Sequence, residues 1–342
     1  MEFKAFVGID ISKLTLDAVI LFPSKQTMIH RKISNDEDGF NQLLSWLKSQ
    51  KEDLYDVLFC MEHTGIYSLP LTTFLSKHQL CFSLQSPLHI HKSMGLRRGK
   101  NDKADATMLA RYAYLHKDEI KLSGVPSKVI QQIKNLLTFR DRLVKVKVLL
   151  QTSSGELAAF TDKEVHITIL RNSTKYVKQF KAGILQIEGE INMNIKSSPD
   201  LKRTCDLVMS VPGVGLITAA HLIVYTNCFT LFDNWRKLAC YCGVAPFEHT
   251  SGTSIRGKTR VSKFGNKRIK SLLGMGALVA ITHDDELQNY FDRRIKEGKN
   301  KSSTMNIIKN KMLSRIFAAV KRGTPYVKLK QINENKGEKI KL

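Results

Sequence analysis

Three short apolar runs follow one another at the start of the chain, with only brief polar connections between them. They cover residues 3–11, 14–22 and 26–33 and are enriched in strand-forming residues such as Val, Ile and Thr. Runs of this length with short connections predict an antiparallel meander of three strands. Three strands in direct succession restrict the N-terminal fold to one built around a sheet that begins antiparallel.

Helical and apolar segments then alternate up to about residue 116. Apolar spacings of three to four residues predict helices, and short apolar runs predict strands. The predicted helices cover 36–48, 69–78 and 101–116, and the predicted strands cover 56–61 and 80–84. The resulting order, β-β-β-α-β-α-β-α, is that of a ribonuclease-H-like (RuvC-like) α/β domain, which we assign to residues 1–122. Asp17, within the second strand, is assigned to an exposed strand face.

The middle of the chain has a different pattern. From residue 126 to about 196, apolar residues recur every three to four positions with Lys, Arg and Gln between them. This predicts two long helices joined by a turn over 163–174, forming a helical coiled-coil connector over 123–200. A plain helical bundle is the alternative. Beyond the connector we predict a mainly α-helical C-terminal domain over 201–322 and a basic tail over 323–342.

Positive charge is concentrated near the C-terminus. The net charge is +23, and residues 251–342 hold 22 Lys and Arg against 7 Asp and Glu. Such an excess predicts a polyanionic partner, nucleic acid before an anionic membrane surface. The densest segment has no acid, and Asn266 adds an amide to its seven basic residues: Arg256, Lys258, Arg260, Lys263, Lys267, Arg268 and Lys270. We expect this segment to contact phosphates, close to the start of a predicted helix at Lys263 that Ser262 would cap.

Other features exclude several classes of protein. The six cysteines include no Cys-x-x-Cys pair, which argues against a zinc or redox motif. The most apolar stretch, residues 271–281, is far shorter than the roughly 20 residues of a membrane span. The first residues lead into a strand rather than resembling a signal peptide. These features predict a cytoplasmic protein without a membrane partner.

A short glycine motif lies between two predicted helices. Val-Pro-Gly-Val-Gly at 211–215 is followed by an Ala-rich helical segment. This pattern predicts a helix-hairpin-helix, in which Gly213 and Gly215 let backbone N–H groups approach a DNA phosphate. An ordinary hairpin of two helices is the alternative.

Four acids stand at positions that a ribonuclease-H-like sheet would bring together. Asp10 ends the first predicted strand and Glu62 ends the fourth, while Asp102 and Asp105 share one face of a helix. Alone, Asp102 is explained as a helix cap, Asp105 as a surface residue and Glu62 as a turn acid. Together, four hard oxygen donors without His or Cys favour Mg²⁺ or Mn²⁺. Such ions beside a phosphodiester support phosphoryl transfer.

These residues carry a family resemblance. Gly-Ile-Asp-Ile-Ser-Lys (8–13), Met-Glu-His-Thr-Gly-Ile-Tyr (61–67) and Lys-Asn-Asp-Lys-Ala-Asp (100–105) resemble motifs of the DEDD transposases of insertion sequences, the IS110 type. The relatives of these enzymes include the pilin-gene DNA invertases. Further matching motifs follow in the expected order at 211–215, 243–246 and 262–268.

The resemblance implies more than the residues show by themselves. It implies a metal site at Asp10, Glu62, Asp102 and Asp105, and a serine nucleophile that by position is Ser251. It also implies a phosphoserine–DNA intermediate, strand exchange through a four-way junction and sites paired across subunits. The expected partners are DNA, at the element ends and the target, and a structured "bridge" RNA that guides their choice. We expect a homodimer that assembles to a tetramer, in the bacterial cytoplasm and associated with the nucleoid.

Several alternatives stay open at this point. Ser254 and Ser262 are rival nucleophiles. A metal-dependent nuclease or junction resolvase would need only the carboxylates. A site-specific DNA invertase would use the same residues to invert a DNA segment. A non-catalytic protein would only bind nucleic acid.

Overall fold

A computed structural model describes residues 2–50, 53–63, 65–95, 101–157, 160–251 and 255–327. The chain divides into two compact units, residues 1–125 and 126–342. We call them the sheet unit and the helical unit. Within the described ranges, no helix combines the length and the apolar character needed to cross a bilayer.

The sheet unit is built on a five-stranded mixed sheet. Its strands are β1 (Ala5–Ile11), β2 (Thr15–Phe22), β3 (Thr27–Ser34), β4 (Val57–Glu62) and β5 (Phe82–Gln85). They are ordered β3-β2-β1-β4-β5, with β1, β2 and β3 antiparallel and with β4 and β5 parallel to β1. The predicted meander is confirmed, and β1 and β4, which carry Asp10 and Glu62, are neighbours.

Four helices accompany the sheet: α1 (Glu37–Ser49), α2 (Leu69–Lys77), α3 (Pro87–Met94) and α4 (Asp102–Leu115). A short 3₁₀ helix, Leu54–Asp56, precedes β4. Asp36 fixes the start of α1, because its side chain accepts a hydrogen bond from the backbone N–H of Gly39. The sequence did not predict α3, which has only eight residues and too few apolar positions to show a helical period.

The two faces of the sheet bury separate cores, because alternate residues of a strand point to opposite sides. Val7 and Ile9 belong to the core that includes residues of α1 and α2, whereas Phe6 and Leu58 belong to the core that includes α4. Gly8 allows α4 to lie directly on β1. A Cβ atom built on Gly8 would come within 2.1 Å of the carbonyl oxygen of Ala106.

The helical unit contains eight helices and one hairpin in its described part. The helices are α5 (Lys128–Glu156), α6 (Lys163–Lys196), α7 (Pro199–Met209), α8 (Leu216–Thr226), α9 (Trp235–Tyr241), α10 (Lys267–His283), α11 (Asp285–Lys296) and α12 (Lys301–Arg322). The antiparallel hairpin consists of β6 (Pro246–Ser251) and β7 (Ile255–Val261). Fully buried residues of its core include Ile133, Ile223, Leu273 and Met312, which come from α5, α8, α10 and α12.

The long helices α5 and α6 pack against each other, and Arg140 of α5 forms an ion pair with Glu188 of α6 at 2.7 Å. The predicted turn over 163–174 was wrong, because this segment is the first part of α6. Its residues are mostly exposed, so few apolar contacts impose a helical period on the sequence there. Two long helices are therefore observed, while a coiled coil in the strict sense stays a prediction.

Candidate active site

Polar residues form a row across the sheet of the sheet unit. Asp10 of β1 lies opposite Asp17 of β2, and Asp17 lies opposite Lys32 of β3. On the other side of β1, Glu62 follows Met61, which pairs with Ile9. Because paired residues of neighbouring strands project to the same face, these four side chains share the face that α4 covers.

The first turn of α4 carries the other two acids. The side chain of Asn101 accepts a hydrogen bond from the N–H of Ala104 at 2.7 Å and so caps the helix. Asp102 is therefore not the cap, the role that would have explained it without a metal. Ala106 and Ala110 lie over Gly8, so one turn earlier on α4 the residues Asp102 and Asp105 lie toward Asp10, two residues further along β1.

Asp10 is the focus of this negative charge. Burial raises the pKa of Asp10 to about 6, with further contributions from the charges of Asp105, Asp102, Glu62 and Asp17 in that order. The charges of the other three predicted acids thus all reach Asp10. In the ranges that the structure describes, no three His, Cys, Asp or Glu side chains form a ready-made metal-binding group. The donor set nevertheless fits a hard divalent cation, because clustered carboxylates need positive charge to stay ionised.

Asp17 departs from the sequence prediction. It was assigned to an exposed strand face, but only 6% of it is exposed. Its Oδ1 lies 2.8 Å from Nε2 of His30, and its Oδ2 accepts a hydrogen bond from Nζ of Lys32 at 3.2 Å. The prediction was wrong because both faces of the sheet are covered. Residues two apart on a strand face the same side, so Asp17 shares the side of buried Val19, which packs in the core beneath α4. This spacing was the signal in the sequence that Asp17 is buried.

Lys32 connects this buried acid to the site. Its Nζ lies 3.8 Å from Oδ2 of Asp102 as well as 3.2 Å from Asp17. A hydrogen bond to Asp17 and the charges of both acids raise the pKa of Lys32. Neither His30 nor Lys32 was predicted from the sequence as a site residue. They lie on an edge strand with a mainly polar exterior, where a basic residue has no distinguishing pattern.

The predicted nucleophile lies in the helical unit. Ser251 is the last residue of β6 and pairs with Ile255 of β7. Ser254, one of its rivals, lies outside the described residues. Ser262 follows β7, and its hydroxyl accepts a hydrogen bond from the N–H of Phe264 at 3.2 Å.

The basic segment of the sequence extends along β7 and into α10. Arg256, Lys258 and Arg260 lie on β7, where Arg256 pairs with Thr250 beside Ser251 and Arg260 pairs with Phe247 beyond a register shift. Lys263, in the turn before α10, and Lys267, the first residue of α10, are exposed. The sequence did not predict the hairpin, because its strands lack the apolar alternation by which strands are recognised.

Two residues of the basic segment have structural contacts. Asn266, not Ser262 as predicted, is the N-cap of α10, which begins at Lys267. The side chain of Asn266 accepts from the N–H groups of Arg268 and Ile269, the two donors best placed for it in the first turn. Arg268 forms an ion pair with Asp141 of α5 and is only partly exposed. Its charge is thus partly neutralised within the unit.

The predicted helix-hairpin-helix glycines lie between α7 and α8. Gly213 has φ of +82°, and a Cβ there would come within 2.1 Å of the carbonyl oxygen of Gly276 in α10. Close packing of α10 therefore explains Gly213 without a ligand. Nothing lies within 4 Å of the corresponding position at Gly215. Phosphate binding by this turn stays a prediction.

The sheet order and the acids at the ends of β1 and β4 and in the first turn of α4 define the class as a ribonuclease-H-like domain of the DEDD type. An IS110 DEDD transposase model matches residues 7–153, and a model of the IS116/IS110/IS902 transposase family matches residues 205–292. The chain belongs to the IS110 family of transposases, as its motifs indicated.

Two relatives agree with this family. The chain is 28% identical over 338 residues to the pilin gene-inverting protein of Moraxella bovis, which covers 95% of this chain and 98% of that protein. It is 26% identical over 230 residues to the transposase of insertion sequence IS1111A of Coxiella burnetii, or 58% of this chain and 59% of that protein. Membership of this family makes the protein an enzyme of the DNA recombinase and transposase class.

Proposed function

We propose that the protein cuts and rejoins DNA strands with a carboxylate-held divalent metal and a serine nucleophile. The observation that supports the proposal is the environment of Asp10, whose pKa is raised by burial and then by the charges of three acids from β4 and α4. Asp10, Glu62, Asp102 and Asp105 would hold Mg²⁺ or Mn²⁺. A bound divalent ion would neutralise the phosphate oxygens and lower the barrier to attack on phosphorus.

In the sheet unit, the acids would have to be ionised and correctly placed before they could bind the cation. Asp10 must be ionised to bind a cation, and its raised pKa means that this requires a pH above about 6 or a cation that competes with the proton. Asp102 and Asp105 lie in the first turn of α4, whose start is fixed by the Asn101 cap. The close packing of α4 on Gly8 would hold both acids near Asp10.

In the helical unit, Ser251 would supply the nucleophile. Its Oγ would form a bond to phosphorus while the bond from phosphorus to the leaving deoxyribose oxygen breaks, giving a phosphoserine–DNA link and a free hydroxyl end. The basic positions of β7 adjoin Ser251 and suit the charge that develops on the phosphoryl oxygens. The reverse reaction with another strand end would rejoin DNA through a four-way junction.

We also propose that the acids of one subunit act with the serine of another, in a homodimer that assembles to a tetramer. Support comes from apolar side chains left exposed along α5, α6 and their connection, among them Leu149, Phe160 and Leu185. Element-end and target DNA are the proposed substrates, and a structured guide RNA is a proposed further partner for the basic segment.

Adduct trapping tests this proposal. The protein is incubated with element-end DNA, candidate RNA and Mg²⁺, denatured, and examined for DNA covalently bound to protein. We expect an adduct with the natural chain and with Ser262→Ala, but none with Ser251→Ala or Asp10→Asn. Cleavage without an adduct in Ser251→Ala would favour a nuclease or junction resolvase, and binding without cleavage by any variant would favour a non-catalytic binder.

DNA inversion is the second candidate function. It is favoured because the similarity to the Moraxella bovis pilin gene-inverting protein extends over 95% of this chain. The DNA around the gene distinguishes the two outcomes. Inverted repeats flanking a surface-protein gene would support inversion, and an adjacent non-coding stretch with RNA stem-loops would support transposition.

A further inference from the structure

Lys32 lies between a buried acid and one of the proposed metal ligands. Both oxygens of Asp17 are engaged, Oδ1 by His30 at 2.8 Å and Oδ2 by Lys32 at 3.2 Å. Asp17 is almost fully buried and sits one strand away from Asp10 in the same cross-strand row. As positioned, Asp17 therefore serves as an anchor for two basic side chains rather than as an available ligand.

The anchored ammonium group reaches the acidic cluster. The side chain of Lys32 is 53% exposed, and its Nζ lies 3.8 Å from Oδ2 of Asp102. An ammonium group has three donors, so it can serve Asp17 and Asp102 together. The side chain of Asp102 is itself 60% exposed. Lys32 thus provides positive charge where four carboxylates repel one another.

We infer that Lys32 is a positioning residue that occupies Asp102 in the metal-free protein and that the divalent cation must displace it. This inference rests on the proposed metal site. The ammonium group keeps the Asp102 carboxylate directed toward the edge of the sheet formed by β3, and Asp17 retains Lys32 nearby after displacement. Lys32 therefore reduces the repulsion among the carboxylates and weakens the affinity of the cluster for the metal.

Metal affinity measured without DNA tests this role. Mn²⁺ is titrated into the full chain near neutral pH, and free Mn²⁺ is followed by electron paramagnetic resonance. We expect Lys32→Gln to bind Mn²⁺ about two- to fivefold more tightly than the natural chain, because a partly exposed competing cation is removed. Lys32→Arg keeps the charge and should stay close to the natural affinity.

Lys4→Gln is the matched control. It also removes one exposed lysine from an ion pair of the sheet unit, with Asp56 at 2.6 Å, but away from the acids, so its affinity for Mn²⁺ should not change. The effect of Lys32→Gln should also shrink between about 50 mM and about 300 mM salt, since screening weakens an exposed pair.

The outcomes separate this inference from the function on which it rests. Mn²⁺ binding that is unchanged or weakened in Lys32→Gln would overturn the role of Lys32 and leave the metal site standing. Absence of Mn²⁺ binding in the natural chain, with its fold intact by circular dichroism, would overturn the metal site and this inference with it.

Discussion

The sheet unit and the helical unit place their proposed functional residues in different ways. In the sheet unit, the acids stand on strands whose register fixes them in one row and on a helix that a glycine brings into contact with the sheet. In the helical unit, Ser251 and the basic residues stand on a two-stranded hairpin and at the start of α10. The first arrangement brings like charges together at the cost of stability, whereas the second distributes like charges over an exposed surface.

Loss of one acid should produce the largest effect. Asp10→Asn removes a proposed metal ligand at the centre of the acidic cluster. Because the divalent ion would then be bound poorly, we expect DNA cleavage to fall at least about 100-fold. Single-turnover cleavage of element-end DNA is the measurement. Asp118→Asn removes an exposed acid of the same unit and should cleave normally. Comparable losses in the two variants would contradict a special role for Asp10.

The glycine contacts of the two units allow a direct comparison. A methyl group at Gly8 would collide with Ala106, and one at Gly213 would collide with Gly276. Gly8→Ala and Gly213→Ala should each reduce the free energy of unfolding by about 3 kcal/mol, measured by urea denaturation. Gly124→Ala and Gly215→Ala are the matched controls, because nothing lies within 4 Å of either added methyl group.

The control in the helical unit also tests the predicted hairpin motif. If the turn at 211–215 binds phosphate, Gly215→Ala should retain its stability but bind DNA more weakly. Equal DNA affinity in Gly215→Ala and the natural chain would leave packing of Gly213 as the sole explanation of the motif.

The pH dependence of stability should distinguish the acidic row from ordinary surface acids. The pKa of Asp10 is raised from 3.8 to about 6, so the folded protein binds this proton more tightly than the unfolded chain does. Ionisation of Asp10 therefore reduces stability as the pH rises from about 4 to about 6. Without metal, Asp10→Asn should be more stable than the natural chain at neutral pH by about 1–2 kcal/mol, after allowance for solvent screening.

Thermal unfolding across a pH series measures this difference. The two chains should converge below about pH 4, where Asp10 is protonated in both states. A difference that stays constant across the series would attribute the change to packing instead.

The smallest effects should come from the basic surface of the helical unit. Lys267→Gln removes an exposed charge, so it should weaken DNA binding a few-fold and reduce the salt dependence by about one phosphate contact, with stability unchanged. Arg268→Gln breaks the pair with Asp141 and should lower stability as well. Measurements are DNA affinity at several salt concentrations and the melting temperature. A flat salt response in the natural chain would count against this surface as a nucleic-acid interface.

Much of the sheet unit could be predicted from the sequence, because each strand is a separate apolar run and the acids interrupt those runs. Asp17 was assigned to the wrong face although its spacing from Val19 was visible in the sequence. Lys32 was missed because its significance depends on which strands pair, which a single sequence does not state. In the helical unit, the hairpin of β6 and β7 was missed because its strands are polar. Gly243 and Gly265, which lie before and after the hairpin in the chain, are in close contact. A contact between residues so far apart in the chain is not visible in a single sequence.

The row of polar residues across β1, β2 and β3 has a consequence for folding itself. A slip of one residue in the pairing of these strands would turn Asp10 or Asp17 from the α4 side to the opposite face, where Ile9 and Ala18 are completely buried. A charged carboxylate without partners in that core would cost several kcal/mol, so the misaligned sheets are strongly disfavoured. The same acids that are proposed to hold the metal therefore select the correct alignment of the strands while the chain folds.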